Sequence, residues 1–519
     1  MAKTIIHTMD SANSHNTEEH RSQRRILKNT SFLTGAFIVQ KVISFLYFIL
    51  IARRIGPVDL GLYDPLKSLI PISLILIDFS LSAVMTREIA RHPEKSRQYI
   101  STVIGVKILF AVILFFVAGL ITTFGNFDAV TRSLLYLVGM IVVLDTFTLT
   151  IFAVFRGYQN MLFESIAIVV NQILTIGIGA GALLMGYGLK GLFIATLVGS
   201  VFNFIFAFVM LKRRLGISLV PVWDKELIKA LLKMALPFAI AAIFVKMFTY
   251  TDRYMLLALA GKKYVGWYAT AHKLTYALEF IPSAFAASIY PAMSAYFLTS
   301  KENLTRTFEK SMRYLLLIAV PLSLGIITLS DRIIVQLYTN AFEASVIPLR
   351  IMISGLVIIF LNFPVGALLN ASNQQTRNTI NMGITVLVNV LLNVILIPKF
   401  NFVGAAISTL VSTVLLFSLG LFWAGKIVPY NRRALALLFA KCVASGAVMS
   451  AVIYVLSQKI TFDISSHFSV AGSYVQIMVY YGLLALCGAI VYIVTLALIK
   501  GVHISEAKSF LGILRRKEQ

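Results

Sequence analysis

Long uninterrupted apolar runs recur from one end of this chain to the other. An α-helix rises about 1.5 Å per residue, so about 20 apolar residues cover the roughly 30 Å hydrocarbon core of a bilayer. Of the 519 residues, 58% are hydrophobic and only 13% are charged, whereas about 25% are charged in a typical soluble protein. Because a soluble fold could not hide so much apolar surface, we predict an all-α polytopic membrane protein.

The apolar runs predict about fourteen transmembrane helices. Their approximate ranges are 30–52, 63–84, 99–123, 132–155, 162–186, 190–211, 234–258, 267–291, 312–330, 346–370, 378–398, 402–425, 433–457 and 474–499.

The formal net charge is +24, and the basic residues lie mostly between the apolar runs. This placement favours contact with anionic lipid headgroups over nucleic-acid binding. With the N-terminus inside, the cytoplasmic segments hold most of the Lys and Arg, as is typical of membrane proteins. We therefore expect a multi-pass protein of the cytoplasmic (inner) membrane with both termini in the cytoplasm.

An internal repeat is visible at an offset of 205 residues. A lysine, two glycines and a tyrosine recur with the same spacing. The matched positions are Lys41, Gly56, Gly61 and Tyr63, then Lys246, Gly261, Gly266 and Tyr268. A second match, at an offset of 213, pairs GLFIATLVG (191–199) with GAAISTLVS (404–412). Two matches in the same order predict two related halves, each starting with a span, a glycine-containing turn and a second span.

Six spans in each half imply parallel repeats about an axis along the membrane normal, with a binding site between them. The predicted organisation is therefore two six-helix repeats and a C-terminal helix pair. Its boundaries are an N-terminal tail at 1–29, a lobe at 30–211, a linker at 212–233, a lobe at 234–425, helices 13 and 14 at 426–499, and a C-terminal tail at 500–519.

Lysines deep inside apolar runs are the candidate binding residues. Lys41 lies near the middle of the first span and Lys246 at the matching depth of the seventh. A lysine at the bilayer centre costs about 2.5–3.5 kcal/mol unless it faces water or a partner. The pair predicts a cationic cavity for an anionic substrate, which Arg253, Lys273 and Lys67 would extend.

The alternative is that each of these cations pairs with a buried carboxylate as a structural bridge. The candidate carboxylates are Asp78, Asp145, Asp252 and Glu279. Asp145 lies beside Thr146 and Thr148, and oxygen-rich sites suit hard cations. Asp145, Asp252 and Glu279 are thus candidates for coupling to Na⁺ or H⁺, or for gating. No cofactor and no metal centre are expected, because the Cys and His residues form no ligand pattern.

Four segments resemble a known family. They are ARRIGPVDLGLY (52–63), TREIAR (86–91), FRGYQNM (155–161) and TDRYMLLALAGKKYVGWYATAHKL (251–274). They are similar to segments of polysaccharide-export flippases in the multidrug/oligosaccharidyl-lipid/polysaccharide superfamily.

The resemblance implies a transporter, not an enzyme, that moves a polyprenyl-pyrophosphate-linked oligosaccharide from the cytoplasmic to the outer leaflet. It places the pyrophosphate on Lys41 and Lys246, with Arg253 and Lys273 as further members. The implied partners are the lipid-linked oligosaccharide, membrane lipids, and a glycan polymerase and glycosyltransferases of the same pathway. The alternatives are a multidrug antiporter, a peptidoglycan-precursor flippase, and a membrane-embedded glycan polymerase or ligase. Cations in the cavity would repel organic cations, and lysine rather than arginine at both repeat positions departs from the precursor flippases.

Overall fold

The computed structural model describes residues 40–41, 43–125, 127–217, 219–459 and 470–501, and within these ranges the chain is α-helical with no β-strand. Eleven helices in the described ranges are long and apolar enough to cross a membrane. The predicted all-α polytopic membrane fold is therefore confirmed.

Fifteen helices and two short 3₁₀ segments make up the described chain. The helices are α1 (Ile43–Asp78), α2 (Leu81–Arg91), α3 (Ser96–Phe124), α4 (Ala129–Gly157), α5 (Leu162–Leu184), α6 (Gly188–Leu215), α7 (Lys225–Leu259), α8 (Lys262–Ala277), α9 (Phe280–Thr299), α10 (Lys301–Tyr338), α11 (Val346–Ser354), α12 (Leu356–Ala371), α13 (Gln375–Ile427), α14 (Arg432–Lys459) and α15 (Val470–Leu498). The 3₁₀ segments are Pro93–Lys95 and Asn340–Ser345.

The predicted count of fourteen spans is not confirmed, because the helix boundaries differ from the apolar runs. The helix α13 is 53 residues long and joins two helices at Asn401, whose φ is 51° and ψ is −131°. At 1.5 Å per residue it would measure about 80 Å, more than twice the hydrocarbon thickness. The predicted spans 378–398 and 402–425 both fall inside it. The run α1 is also interrupted, at Gly56, whose φ is +74°.

The span predicted at 267–291 is not one continuous helix, because the structure divides it into α8 and α9. At the break, the amides of Leu278 and Glu279 bond to carbonyls three residues back, at 3.3 and 3.2 Å. Pro282 sits in the first turn of α9, where its missing N–H costs no helical hydrogen bond. The break places Glu279 at a helix start rather than inside a span.

The chain divides into two compact units, residues 1–55 with 63–246 and residues 56–62 with 247–519. In the first unit, α6 packs against α4 and α5, and α4 packs against α2 and α3. Its core is made of fully buried aliphatic and aromatic side chains, including Ile89, Phe155 and Leu211. The amphipathic helix α2 buries one apolar face in this core and leaves Arg87 and Arg91 exposed.

In the second unit, α10 packs against α9, α11, α12 and α14, and α12 packs against α13. The helix α11 contacts both α8 and α13, and α14 contacts α15. The helices α10 and α12 therefore lie at the centre of the second unit. The helix α11 packs against both α8 and α13.

The glycines of the repeat are needed where the segment 56–62 meets α8, inside the second unit. A Cβ on Gly61 would lie 1.6 Å from the carbonyl oxygen of Lys262, and a Cβ on Gly266 would lie 1.9 Å from that of Pro57. Both contacts are with backbone atoms, which cannot move aside as a side chain could. Gly56 and Gly261 both have positive φ, +74° and +103°, so the predicted glycine-containing turn exists in both copies.

Candidate functional site

The carboxylate of Asp252 lies at the centre of a buried polar cluster in the second unit. Its side chain on α7 is 2% exposed. Its Oδ2 accepts hydrogen bonds from the Tyr268 hydroxyl at 2.7 Å and the Thr409 hydroxyl at 2.6 Å. Its Oδ1 accepts one from the Asn393 amide at 2.6 Å. Helices α7, α8 and both halves of α13 thus meet at one carboxylate.

The sequence of α13 explains how its two halves supply these groups. Asn389 and Asn393 are four residues apart and share a helix face, and the Asn393 amide donates to the Asn389 carbonyl at 3.1 Å. The bend at Asn401 separates this pair from Thr409. Both asparagines are at most 1% exposed, and amides in an apolar span need such polar neighbours.

This cluster has the composition of a small cation site. A buried carboxylate is costly unless a partner compensates its charge. Within the described ranges, no Lys, Arg or His nitrogen forms an ion pair with Asp252. Among the described residues, none forms a hydrogen bond with the buried Oδ1 of Asn393. Carboxylate, amide and hydroxyl oxygens are the ligands that hard cations prefer.

Next to this cluster, Arg253 is held on the neighbouring face of α7. Its guanidinium donates to the Thr249 carbonyl at 3.1 Å and contacts His272 Nδ1 at 2.9 Å. It also lies 5.0 Å from the Tyr250 ring centroid. The His272 and Tyr276 rings stack 4.0 Å apart. Arg253 is therefore a buried cation, 7% exposed, whose position is set by a carbonyl, an imidazole and an aromatic face.

A small pocket adjoins the cluster inside the second unit. It is lined by Thr275, Tyr276, Thr409 and Thr413, together with residues of α11, α12 and α13. Thr409 borders both the pocket and Asp252, so a small ion or water that entered this pocket would meet the carboxylate's own hydrogen-bond partner.

In the first unit, Lys67 and Asp145 lie in a separate polar cluster. The Lys67 ammonium donates to the Thr196 hydroxyl at 3.1 Å. Asp145 lies near Ser200, one turn after Thr196 on α6, and Lys67 is a cation that acts on its charge. Lys67 is half-buried, and its bond to Thr196 lies inside the first unit.

Another buried pair in this unit is structural. Lys107 is fully buried and its Nζ lies 2.5 Å from Asp78. The ammonium also bonds to Ser82 at 3.0 Å and to the Thr146 carbonyl at 3.3 Å, and it contacts Thr150. Asp78 ends α1 just before two residues with positive φ. The pair therefore fixes the sharp turn into α2, and Asp78, one of the candidate carboxylates, forms a structural bridge.

The remaining predicted residues lie at several depths. Lys41 is exposed, whereas Lys246, Lys273 and Glu279 are half-buried. The continuous helix α7 places Lys246, Thr249, Tyr250 and Arg253 on one face, as their spacing predicts. The cavity shared by Lys41 and Lys246 stays a prediction.

Several residues of these clusters were not among the sequence candidates. They are Tyr268 (as a hydrogen-bond donor to Asp252), His272, Asn389, Asn393, Thr196, Ser200 and Thr409. Two signals could have found some of them. Asparagines four residues apart inside an apolar run are costly unless paired, and Thr196 and Thr409 are equivalent positions of the second repeat match.

Comparisons with known proteins match this architecture. Residues 26–297 match the sequence model of a family described as polysaccharide biosynthesis protein. The chain is 24% identical over 378 residues to the "Probable low-salt glycan biosynthesis flippase Agl15" of Haloferax volcanii, covering 71% of this chain and 77% of that protein. It is 26% identical over 311 residues to the lipid III flippase of Escherichia coli, covering 57% and 73%. Among solved structures, the inward closed lipid II flippase MurJ shares this fold with a TM-score of 0.69 at 18% identity, covering 90% and 98%.

Proposed function

Because this chain belongs to the polysaccharide biosynthesis protein family, we propose that it is a flippase for a lipid-linked glycan. It is a transporter rather than an enzyme, in agreement with the flippases among its relatives. The proposed cargo is a polyprenyl-pyrophosphate-linked oligosaccharide, moved from the cytoplasmic to the outer leaflet by alternating access. The family match carries this proposal.

The proposed headgroup site consists of in-span cations, namely Lys41, Lys246, Arg253 and Lys273. A diphosphate needs positive charge at membrane depth, and each charge-assisted contact contributes about 1.5–3 kcal/mol. Among these cations, Arg253 is the most buried, at 7% exposure. A guanidinium there would repel the organic cations that a multidrug antiporter carries.

Complementation of a strain lacking its lipid-linked oligosaccharide flippase tests the cargo and the site together. Lys41→Ala and Lys246→Ala should each lower complementation at least about tenfold, since 1.4 kcal/mol is a factor of ten. Lys246→Arg should retain partial function because its charge survives. Lys301→Ala, at an exposed helix start, is the matched control. Full activity of both alanine variants, at protein levels equal to wild type by blot, would refute the cationic site.

We also propose that Na⁺ binding at Asp252 drives the cycle. A proton would need only the carboxylate, whereas the surrounding Asn393 and Thr409 oxygens could coordinate a metal cation as well. Occupation would neutralise a buried charge and draw α7, α8 and α13 together. Asn393 and Thr409 would then alternate between hydrogen-bonding the Asp252 carboxylate and coordinating the ion.

Sodium-dependent melting of the purified protein tests this site. Sodium chloride should raise the melting temperature of the wild type above its value in equimolar choline chloride. Asp252→Asn should remove that difference, and Glu302→Gln, an exposed carboxylate-to-amide control, should not. An Asp252→Asn variant that responds to sodium like wild type would contradict the proposal.

The proposed location is the cytoplasmic membrane with both termini inside, where the cargo's glycosyltransferases and polymerase would be partners. Single cysteines at Glu94 and Glu302 should be protected from an impermeant thiol reagent in intact cells. Cysteines at Asn126 and Ser465, which lie outside the described residues, should react. The opposite labelling pattern would reverse the proposed orientation.

A further inference from the structure

The two halves of the repeat place different charges at equivalent positions. At the offset of 205 residues, Tyr63 corresponds to Tyr268, Lys67 to His272, and Tyr47 to Asp252. At the offset of 213, Thr196 corresponds to Thr409. The residues around Asp252 in the second unit therefore have counterparts in the first.

The threonine pair shows what differs between the units. In the second unit, the Thr409 hydroxyl donates to the Asp252 carboxylate at 2.6 Å. In the first, the Thr196 hydroxyl accepts a hydrogen bond from the Lys67 ammonium at 3.1 Å. Tyr47, at the position of Asp252, bonds to the Thr175 carbonyl instead. The Thr409 hydroxyl therefore contacts a carboxylate, whereas the equivalent Thr196 hydroxyl contacts an ammonium.

The preceding helices have a similar feature, although their residues do not match at either repeat offset. In the second unit, Asn393 donates to Asn389 four residues earlier at 3.1 Å. In the first, Thr175 donates to Asn171, also four residues earlier, at 3.3 Å. Both units thus have a hydrogen-bonded polar pair at i and i+4 just before the helix that holds the equivalent threonine.

The first unit also has its own carboxylate. Asp145 lies near Ser200, and Lys67, whose ammonium bonds to Thr196, is a cation that acts on its charge. The first unit therefore has the elements of a cation site, a carboxylate among hydroxyls, but an ammonium already stands beside them. That ammonium is attached to α1 and cannot leave during a transport cycle, so its effective concentration is far above that of a dissolved ion.

We propose that Lys67 is a built-in cation that fills the first unit's counterpart of the ion site. The proposal rests on the sodium site at Asp252. Only the second unit then exchanges its cation with solution, so one ion binds per protein. Under this proposal, the Lys67 ammonium compensates the charge of Asp145 and bonds to Thr196. It does not bind the pyrophosphate, for which its sequence position made it a candidate.

Removal of the ammonium should open the first unit to sodium. The readout is the melting temperature of purified protein in sodium chloride compared with choline chloride at equal ionic strength. Asp252→Asn alone should show no sodium-dependent rise. Adding Lys67→Met should restore a rise, because Asp145 and its hydroxyl neighbours lose their tethered cation. Adding Lys67→Arg instead should not, because a cation remains.

Each outcome decides between the two proposals. No sodium response in Asp252→Asn with Lys67→Met, when Asp252→Asn alone has lost it, would overturn the built-in cation and leave the Asp252 site standing. A normal response in Asp252→Asn alone would refute both. If the double variant does not fold, radioactive sodium binding by Lys67→Met alone gives the same answer. We expect two sodium ions per protein where wild type binds one, and a count of one would overturn the proposal.

Discussion

Substitution of Lys107 by methionine should be among the most destabilising single changes in the described part of the chain. Its ammonium is fully buried and pairs with Asp78 at 2.5 Å, with further bonds to Ser82 and the Thr146 carbonyl. Breaking a buried pair by removing one partner costs about 3–5 kcal/mol, because the other charge stays buried without compensation. Lys107→Met should therefore cost about that much, and Asp78→Asn a similar amount.

The double variant should be more stable than either single one, because it leaves no buried charge. The coupling energy of the cycle should then be at least about 3 kcal/mol. The exposed pair of Arg306 and Glu302, at 62% and 81% exposure, is a matched control with an expected coupling of about 0.2–1 kcal/mol. Unfolding in mixed micelles, by titration with sodium dodecyl sulfate, measures both cycles. Additive single effects at the Lys107 pair would refute this account of it.

Two further substitutions test the packing and the ion site. Gly266→Ala should prevent normal folding, because its Cβ would lie 1.9 Å from the Pro57 carbonyl oxygen, and a melting temperature equal to wild type would contradict that contact. Thr409→Val removes a hydroxyl that contacts Asp252 at 2.6 Å and should weaken sodium-induced stabilisation at least about tenfold in sodium concentration. Thr413→Val, which removes a buried hydroxyl that donates to the Thr409 carbonyl, should leave it near wild type. Equal effects of the two substitutions would argue against a specific ligand.

The helical membrane fold was predictable because it depends on local composition. Apolar runs of about 20 residues leave few structures that satisfy the backbone inside a bilayer. The turn glycines were also predictable from the repeat, and both Gly56 and Gly261 have positive φ. The number of spans was not, because bends such as that at Asn401 depend on a single backbone conformation inside an otherwise apolar run.

The ion cluster was harder to predict because its members are distant in sequence. Asn393 and Thr409 lie 141 and 157 residues from Asp252, and no local pattern indicates that they meet. The sequence identified Asp252 as a candidate for a bridge to a cation, for ion coupling or for gating. The structure instead surrounds it with hydroxyl and amide groups. Lys67 shows the converse, since its depth suggested a substrate ligand while its ammonium bonds to the Thr196 hydroxyl.

The most direct test of the central claim is flipping by the purified protein in liposomes. A polyprenyl-pyrophosphate oligosaccharide carrying a fluorophore on its glycan would be reconstituted, and an impermeant reductant would report the fraction exposed outside. We predict movement between leaflets that depends on the protein, accelerates with a sodium gradient and is lost in Asp252→Asn. No protein-dependent movement of this lipid, together with transport of an organic cation by the same liposomes, would contradict the account.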